Sequence, residues 1–155
     1  MSNVQTFEKL ENAASYKPEG VARAVALLKR YAPWFEVQGD GLATVVTNPL
    51  STTVTAVETG AGNLYAVFVI SPSAATQDAY VQVFNTAAGS VTLGTTAPID
   101  VIACPAGKVR VAMFVPGDDD NDLYSSAISH AATTTFDGNT ALGSASQPEV
   151  WVLSA

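Results

Sequence analysis

Side chains able to do covalent or acid–base chemistry are sparse in this 155-residue sequence: it holds one histidine, His130, and one cysteine, Cys104. A hydrolytic triad needs a nucleophile, a base and an orienting group, and His130 is the one imidazole available as base. It lies in the run Ser125-Ser-Ala-Ile-Ser-His-Ala-Ala-Thr-Thr-Thr135, whose alternation puts Ser126, Ile128, His130 and Ala132 on one face of a strand. No Gly-x-Ser-x-Gly elbow accompanies it, so His130 is expected to be structural. Cys104 ends an Ile-Ala-Cys-Pro segment and reads as a small buried hydrophobe. One cysteine excludes an internal disulfide, and one histidine with one cysteine cannot supply a zinc site within a chain. No cofactor is expected, and the chain is expected not to be an enzyme.

Carboxylates offer a different chemistry. The run Gly117-Asp-Asp-Asp-Asn-Asp122 concentrates hard oxygen ligands, and Asp118, Asp120 and Asp122 are the candidate calcium ligands. An EF-hand loop counted from Asp118 would need a glycine and a glutamate where Leu123 and Ser129 stand, so a solvated loop is the favoured reading. The acids show no pairing pattern for glycoside hydrolysis. Gly60-Ala-Gly62 precedes a strand rather than a helix, so it forms no phosphate cradle.

These residues must be held by elements, and composition bounds what the elements can be. Hydrophobic residues make up 48% and charged residues 14%, which suits one domain with a polar surface built from Thr, Ser, Ala and Asn. The net charge of -7 is unevenly spread. Residues 1–32 carry +2 and residues 33–155 carry -9, a balance that repels phosphate backbones and argues against nucleic-acid binding. No apolar run approaches the ~20 residues of a membrane span. The start Met-Ser-Asn-Val-Gln lacks a basic segment followed by an apolar one, so folding in a cytoplasm is expected.

Two regions follow. Residues 1–41 read as an N-terminal arm with one short helix over about residues 18–31. Pro18 and Glu19 suit a first turn, Val21, Ala24, Val25 and Leu28 follow helical spacing, and Lys29 and Arg30 precede the break at Pro33. This helix caps the open end of its own sandwich or docks on a neighbour. From residue 42 to 155 short β-branched runs alternate with Gly, Pro, Asn and Ser, giving eight candidate strands at 42–47, 51–59, 63–70, 79–86, 99–104, 108–115, 125–135 and 149–153. The spacing predicts an antiparallel, jelly-roll-like β-sandwich. Leu64 to Ile70 is apolar on both faces, so it needs cover on both sides. Of the aromatics, Trp34 and Trp151 with Tyr16, Tyr31, Tyr65, Tyr80 and Tyr124 are expected in core or interface rather than on a sugar-stacking platform.

The order of four segments resembles small virion accessory proteins of tailed bacteriophages. They are Asp78-Ala-Tyr-Val-Gln-Val-Phe-Asn85, Leu93-Gly-Thr-Thr-Ala-Pro98, Cys104-Pro-Ala-Gly107 and Ser126-Ala-Ile-Ser-His-Ala-Ala-Thr-Thr-Thr135, together under half of the chain. The resemblance implies a strand, a Gly-Thr-x-x-Pro turn, a Pro-Ala-Gly hairpin and a Ser/Ala/Thr-rich strand in one β-sandwich. It further implies a capsid decoration or cement role on the outside of a phage head, or a place in a head or tail fibre, often as a trimer and without catalytic residues. The expected partners are the major capsid protein and further copies of the chain, with a fibre or baseplate module or a carbohydrate-binding sandwich as the alternatives.

Overall fold

A computed structural model describes residues 43–114 and 124–154. The arm, its expected helix over 18–31, and Asp118, Asp120 and Asp122 lie outside the described residues. Eight strands are present among those described: β1 (Ala43–Thr47), β2 (Thr55–Glu58), β3 (Leu64–Ile70), β4 (Ala79–Phe84), β5 (Asp100–Cys104), β6 (Val109–Met113), β7 (Ile128–Thr133) and β8 (Glu149–Ser154). Each falls within or close to one of the eight predicted runs, because Val, Ile, Thr and aromatic residues suit a pleated, half-buried surface. Two 3-10 turns, Ala88–Ser90 and Ser144–Ser146, interrupt the longer connections. No helix among the described residues is long and apolar enough to cross a membrane.

The strands form two antiparallel four-stranded sheets with orders β1-β8-β3-β6 and β2-β7-β4-β5. Every connection passes from one sheet to the other except that between β4 and β5. Between the sheets lies a core of Val67 and Val69 (β3), Val150 and Val152 (β8), Val81 and Val83 (β4), and Ile128 and Ala132 (β7). Leu50, Leu142 and Tyr124 extend it from the connections.

Turn chemistry fixes where the chain changes sheet. Gly107 has φ 69 at the third position of a turn closed by Lys108 N donating to the Pro105 carbonyl at 3.0 Å. A side chain is strained there, as at the third position of a type II turn. The expected Pro-Ala-Gly hairpin is instead a corner, since β5 and β6 belong to different sheets and the turn carries the chain across the rim. Ser71 anchors this corner, its Oγ accepting from Gly107 N at 3.0 Å and its own N–H donating to the Lys108 carbonyl at 2.9 Å. Two strands fall furthest short of their runs. β7 begins at Ile128, because Ser126 and Ala127 spend their backbone N–H groups on the Asn85 side chain. β2 begins at Thr55, and a register shift between Ala56 and Glu58 shortens its pairing with β7.

Candidate interaction surfaces

Of the face predicted around His130, Ile128, His130 and Ala132 all point between the sheets, while Ser126 lies outside β7 and is exposed. His130 is fully buried, and its Nε2 lies 2.9 Å from Oγ1 of Thr47 on β1. That hydrogen bond ties one sheet to the other across the core. Nδ1 has no partner, and burial lowers the imidazole pKa to about 4, so the ring is neutral at physiological pH. Cys104 is also buried, its thiol donating to the Lys108 carbonyl at 3.3 Å, and burial pushes its pKa up to about 11. Cys104 sits opposite Ala79 and His130 opposite Val83, on the two sides of β4. Four residues of strand separate them by about 13 Å along β4, which precludes a thiol–imidazole pair. A neutral enclosed imidazole and an un-ionised thiol are packing groups with polar tips. Among the described residues no three His, Cys, Asp or Glu side chains gather as metal ligands.

A second polar contact fixes the approach to β7. Tyr124 OH donates to Oδ2 of Asp100 at 2.6 Å, and burial together with that carboxylate raises the phenol pKa further above its ordinary value. The tyrosine thereby links the segment before β7 to the start of β5.

The outward faces of the two sheets differ in kind. On the β2-β7-β4-β5 sheet the register aligns Tyr80 with Thr133, Gln82 with Ala131, and Phe84 with Ser129, all pointing away from the core. Gln82, Ser129 and Thr133 are buried although polar. Connections of the chain lie over them. Gln82 Nε2 donates to Oγ1 of Thr133 and to the Gly138 carbonyl, each at 3.0 Å, and Ser129 Oγ donates to the Thr86 carbonyl at 2.7 Å. The connections after β4 and after β7 also touch each other. Gly94, at φ 78, lies close enough to the Asn139 side chain that an added Cβ would sit 3.5 Å from it.

On the β1-β8-β3-β6 sheet the outward face is apolar. Phe68 pairs with Val111 of β6 and Trp151 of β8, and Trp151 pairs with Val46 of β1, so these four form one row across the sheet. Leu153 and Ile70 flank that row and are buried. Glu149 stands at one end of the face, its carboxylate accepting from Asn48 Nδ2 and from Trp151 Nε1, each at 2.7 Å. Exposure along the row rises from 0% at Phe68 and 5% at Val111 to 47% at Val46.

Neither the buried polar face nor the apolar one was assignable from the sequence. Period-two alternation shows which residues share a face, but Leu64–Ile70 has apolar residues at every position. Gln82 and Ser129 become buried through connections whose contacts span tens of residues.

No family model and no curated protein matches the chain. Among solved structures it is similar to the coat protein of tobacco streak virus in a C2 crystal form, at 11% identity and a TM-score of 0.33, over 77% of this chain and 88% of that one. It is likewise similar to the dimer of that coat protein, at 12% identity, the same coverage and a TM-score of 0.33. A likeness of this depth carries no argument about function.

Proposed function

We propose that the chain is a non-enzymatic viral structural protein, a decoration or cement protein that binds the outside of a phage head and contacts its major capsid protein as a homotrimer. The observation that supports this reading best is the path of the chain through two four-stranded sheets, β1-β8-β3-β6 and β2-β7-β4-β5. We read that order as a jelly roll, an architecture used by viral capsid and lectin domains. The segments that resemble tailed-phage accessory proteins fall on recognisable places in it. Asp78 to Asn85 covers β4, Leu93 to Pro98 holds the Gly94 turn, Cys104 to Gly107 is the rim corner, and Ser126 to Thr135 covers β7.

In this role the protein does no chemistry. A ligand that binds an assembled shell, and not its separated subunits, stabilises the shell by mass action. A body with few charges and broad β faces presents the kind of surface that stacks against other protein. Three of the described aromatics serve packing in this reading. Tyr65 and Tyr124 are buried, and the Trp151 indole is committed to Glu149.

The test is the copy number of this polypeptide in purified virions of its source, by quantitative mass spectrometry against the major capsid protein. Hundreds of copies are expected. A few to a few dozen would move the protein to a fibre, tail or baseplate, and complete absence from clean particles would sink the virion role. A glycan array separates the remaining alternative, since sugar binding would favour a carbohydrate-binding sandwich. Light scattering on the purified protein is expected to return a trimer, and a monomer at tens of micromolar would refute that part.

A further inference from the structure

We propose that Asp137 and Gly138 form a modification site, at which the backbone slowly rearranges to an isoaspartyl link. The chemistry needs a carboxyl group, the backbone nitrogen of the next residue, and room for the two to meet. Three aspartates lie among the described residues, and two of them are committed. Asp78 Oδ1 accepts from Ala106 N at 2.9 Å, and Asp100 Oδ2 accepts from Tyr124 OH at 2.6 Å. The residues that follow them, Ala79 and Val101, belong to β4 and β5, where strand pairing fixes the backbone and a Cβ crowds ring closure. Asp137 differs on each count. It is exposed, and among the described residues neither its carboxylate nor the Gly138 N–H has a hydrogen-bond partner. Gly138 brings no side chain, and the fold demands that, since an added Cβ would overlap Thr135 Oγ1.

The Gly138 nitrogen attacks the Asp137 carboxyl carbon, a new C–N bond forms, and the carboxyl hydroxyl leaves with the nitrogen's proton as water. The product is a cyclic succinimide. Water then adds at either ring carbonyl and a C–N bond breaks. Opening at the side-chain carbonyl restores aspartate, whereas opening at the main-chain carbonyl routes the backbone through the Asp137 methylene and frees the α-carboxylate. No oxidant, metal or co-reactant other than water takes part. The rearranged backbone is longer by one methylene, at a place where the chain is pinned on both sides. Gln82 Nε2 reaches the Thr135 carbonyl at 3.4 Å and the Gly138 carbonyl at 3.0 Å, and Thr134 N donates to the Thr140 carbonyl at 3.0 Å. The added methylene separates the two carbonyls that one amide holds. Gln82 is fully buried and its Oε1 already lacks a partner, so losing the Gly138 carbonyl weakens the cover of the polar face. This inference is independent of any role in a virion.

The test keeps the full-length chain folded for weeks in mildly acidic buffer made with heavy-oxygen water, since the acid form of a carboxyl gives up water most readily. Peptide mapping with electron-based fragmentation separates isoaspartate from aspartate. It is expected to find isoaspartate and an incorporated heavy oxygen at residue 137, severalfold above the levels at Asp78 and Asp100. Isoaspartate absent from residue 137, or no more abundant there than at Asp78 and Asp100, overturns the proposal. Amide hydrogen exchange in residues 134–143 of the aged chain is expected to accelerate in proportion to the isoaspartate fraction. Asp137→Glu, whose longer side chain closes a larger ring far more slowly, is expected to keep its original exchange rate after the same ageing. Equal acceleration in that variant, or none in the isomerised parent, would overturn the loosening of the cover.

Discussion

The two outward faces of this sandwich are buried by opposite means. One is polar at its centre and is closed by connections that reach over it, with Gln82 and Ser129 donating to the carbonyls of Gly138 and Thr86. The other is a row of Val111, Phe68 and Trp151, which no directional bond could organise. A polar face can be covered by irregular chain because each backbone carbonyl that leaves water finds a donor beneath it. An apolar face offers no such donors, so any chain crossing it has to satisfy its backbone groups elsewhere. Side-chain chemistry on a sheet thus selects the kind of structure laid over it.

The largest effect should come from the apolar face. Phe68→Ala removes a fully buried ring and is expected to cost about 4 kcal/mol in urea unfolding. A cost below about 1 kcal/mol would mean the face is not sealed. The next perturbation acts between the sheets, where His130 meets Thr47. The His130 pKa is lowered to about 4 in the folded protein, against an unfolded value near 6.5. The unfolded chain therefore binds more protons between these values. Stability is complete above about pH 6.5 and falls as pH drops towards 4, by about 3 kcal/mol. A His130→Gln variant should lose this dependence, which unfolding at pH 7.5 and pH 4.5 would detect.

On the polar face, Gln82→Leu keeps the bulk but leaves the Gly138 carbonyl without its donor, for an expected cost of about 2 kcal/mol. Amide hydrogen exchange should then accelerate in residues 134–143 and not in β3; acceleration in both would show that the faces are not independent. The smallest effect is expected at Gly94, where alanine meets space but not a comfortable φ of 78. Gly94→Ala should lower stability by about 1 kcal/mol, measured by thermal melting.

Much of this was legible in the sequence. All eight strands were foreseeable, since β-branched runs such as Val-Ile-Ala-Cys and Val-Arg-Val-Ala-Met are bounded by Gly, Pro and Asn. That His130 shares a strand face with Ile128 and Ala132 was foreseeable from period-two alternation. Its partner Thr47 was not, because 83 residues separate the two and only the meeting of sheets brings them together. Nor was the assignment of Val67 and Val69 to the core and Phe68 to the outside. Every residue of that strand is apolar, so the usual contrast between faces is missing. The Pro-Ala-Gly turn was placed correctly but misread as a hairpin, because turn chemistry sets a local reversal and not the sheet the next strand joins.

Strand length has its own consequence. The four strands at the sheet margins, β1, β2, β5 and β6, have four or five residues, whereas the inner strands have six or seven. A margin with few free amide and carbonyl groups is a poor template for a strand from another molecule. Crowding many copies together therefore does not invite polymerisation into cross-β fibrils. Margins this short leave neighbouring copies little backbone to pair with.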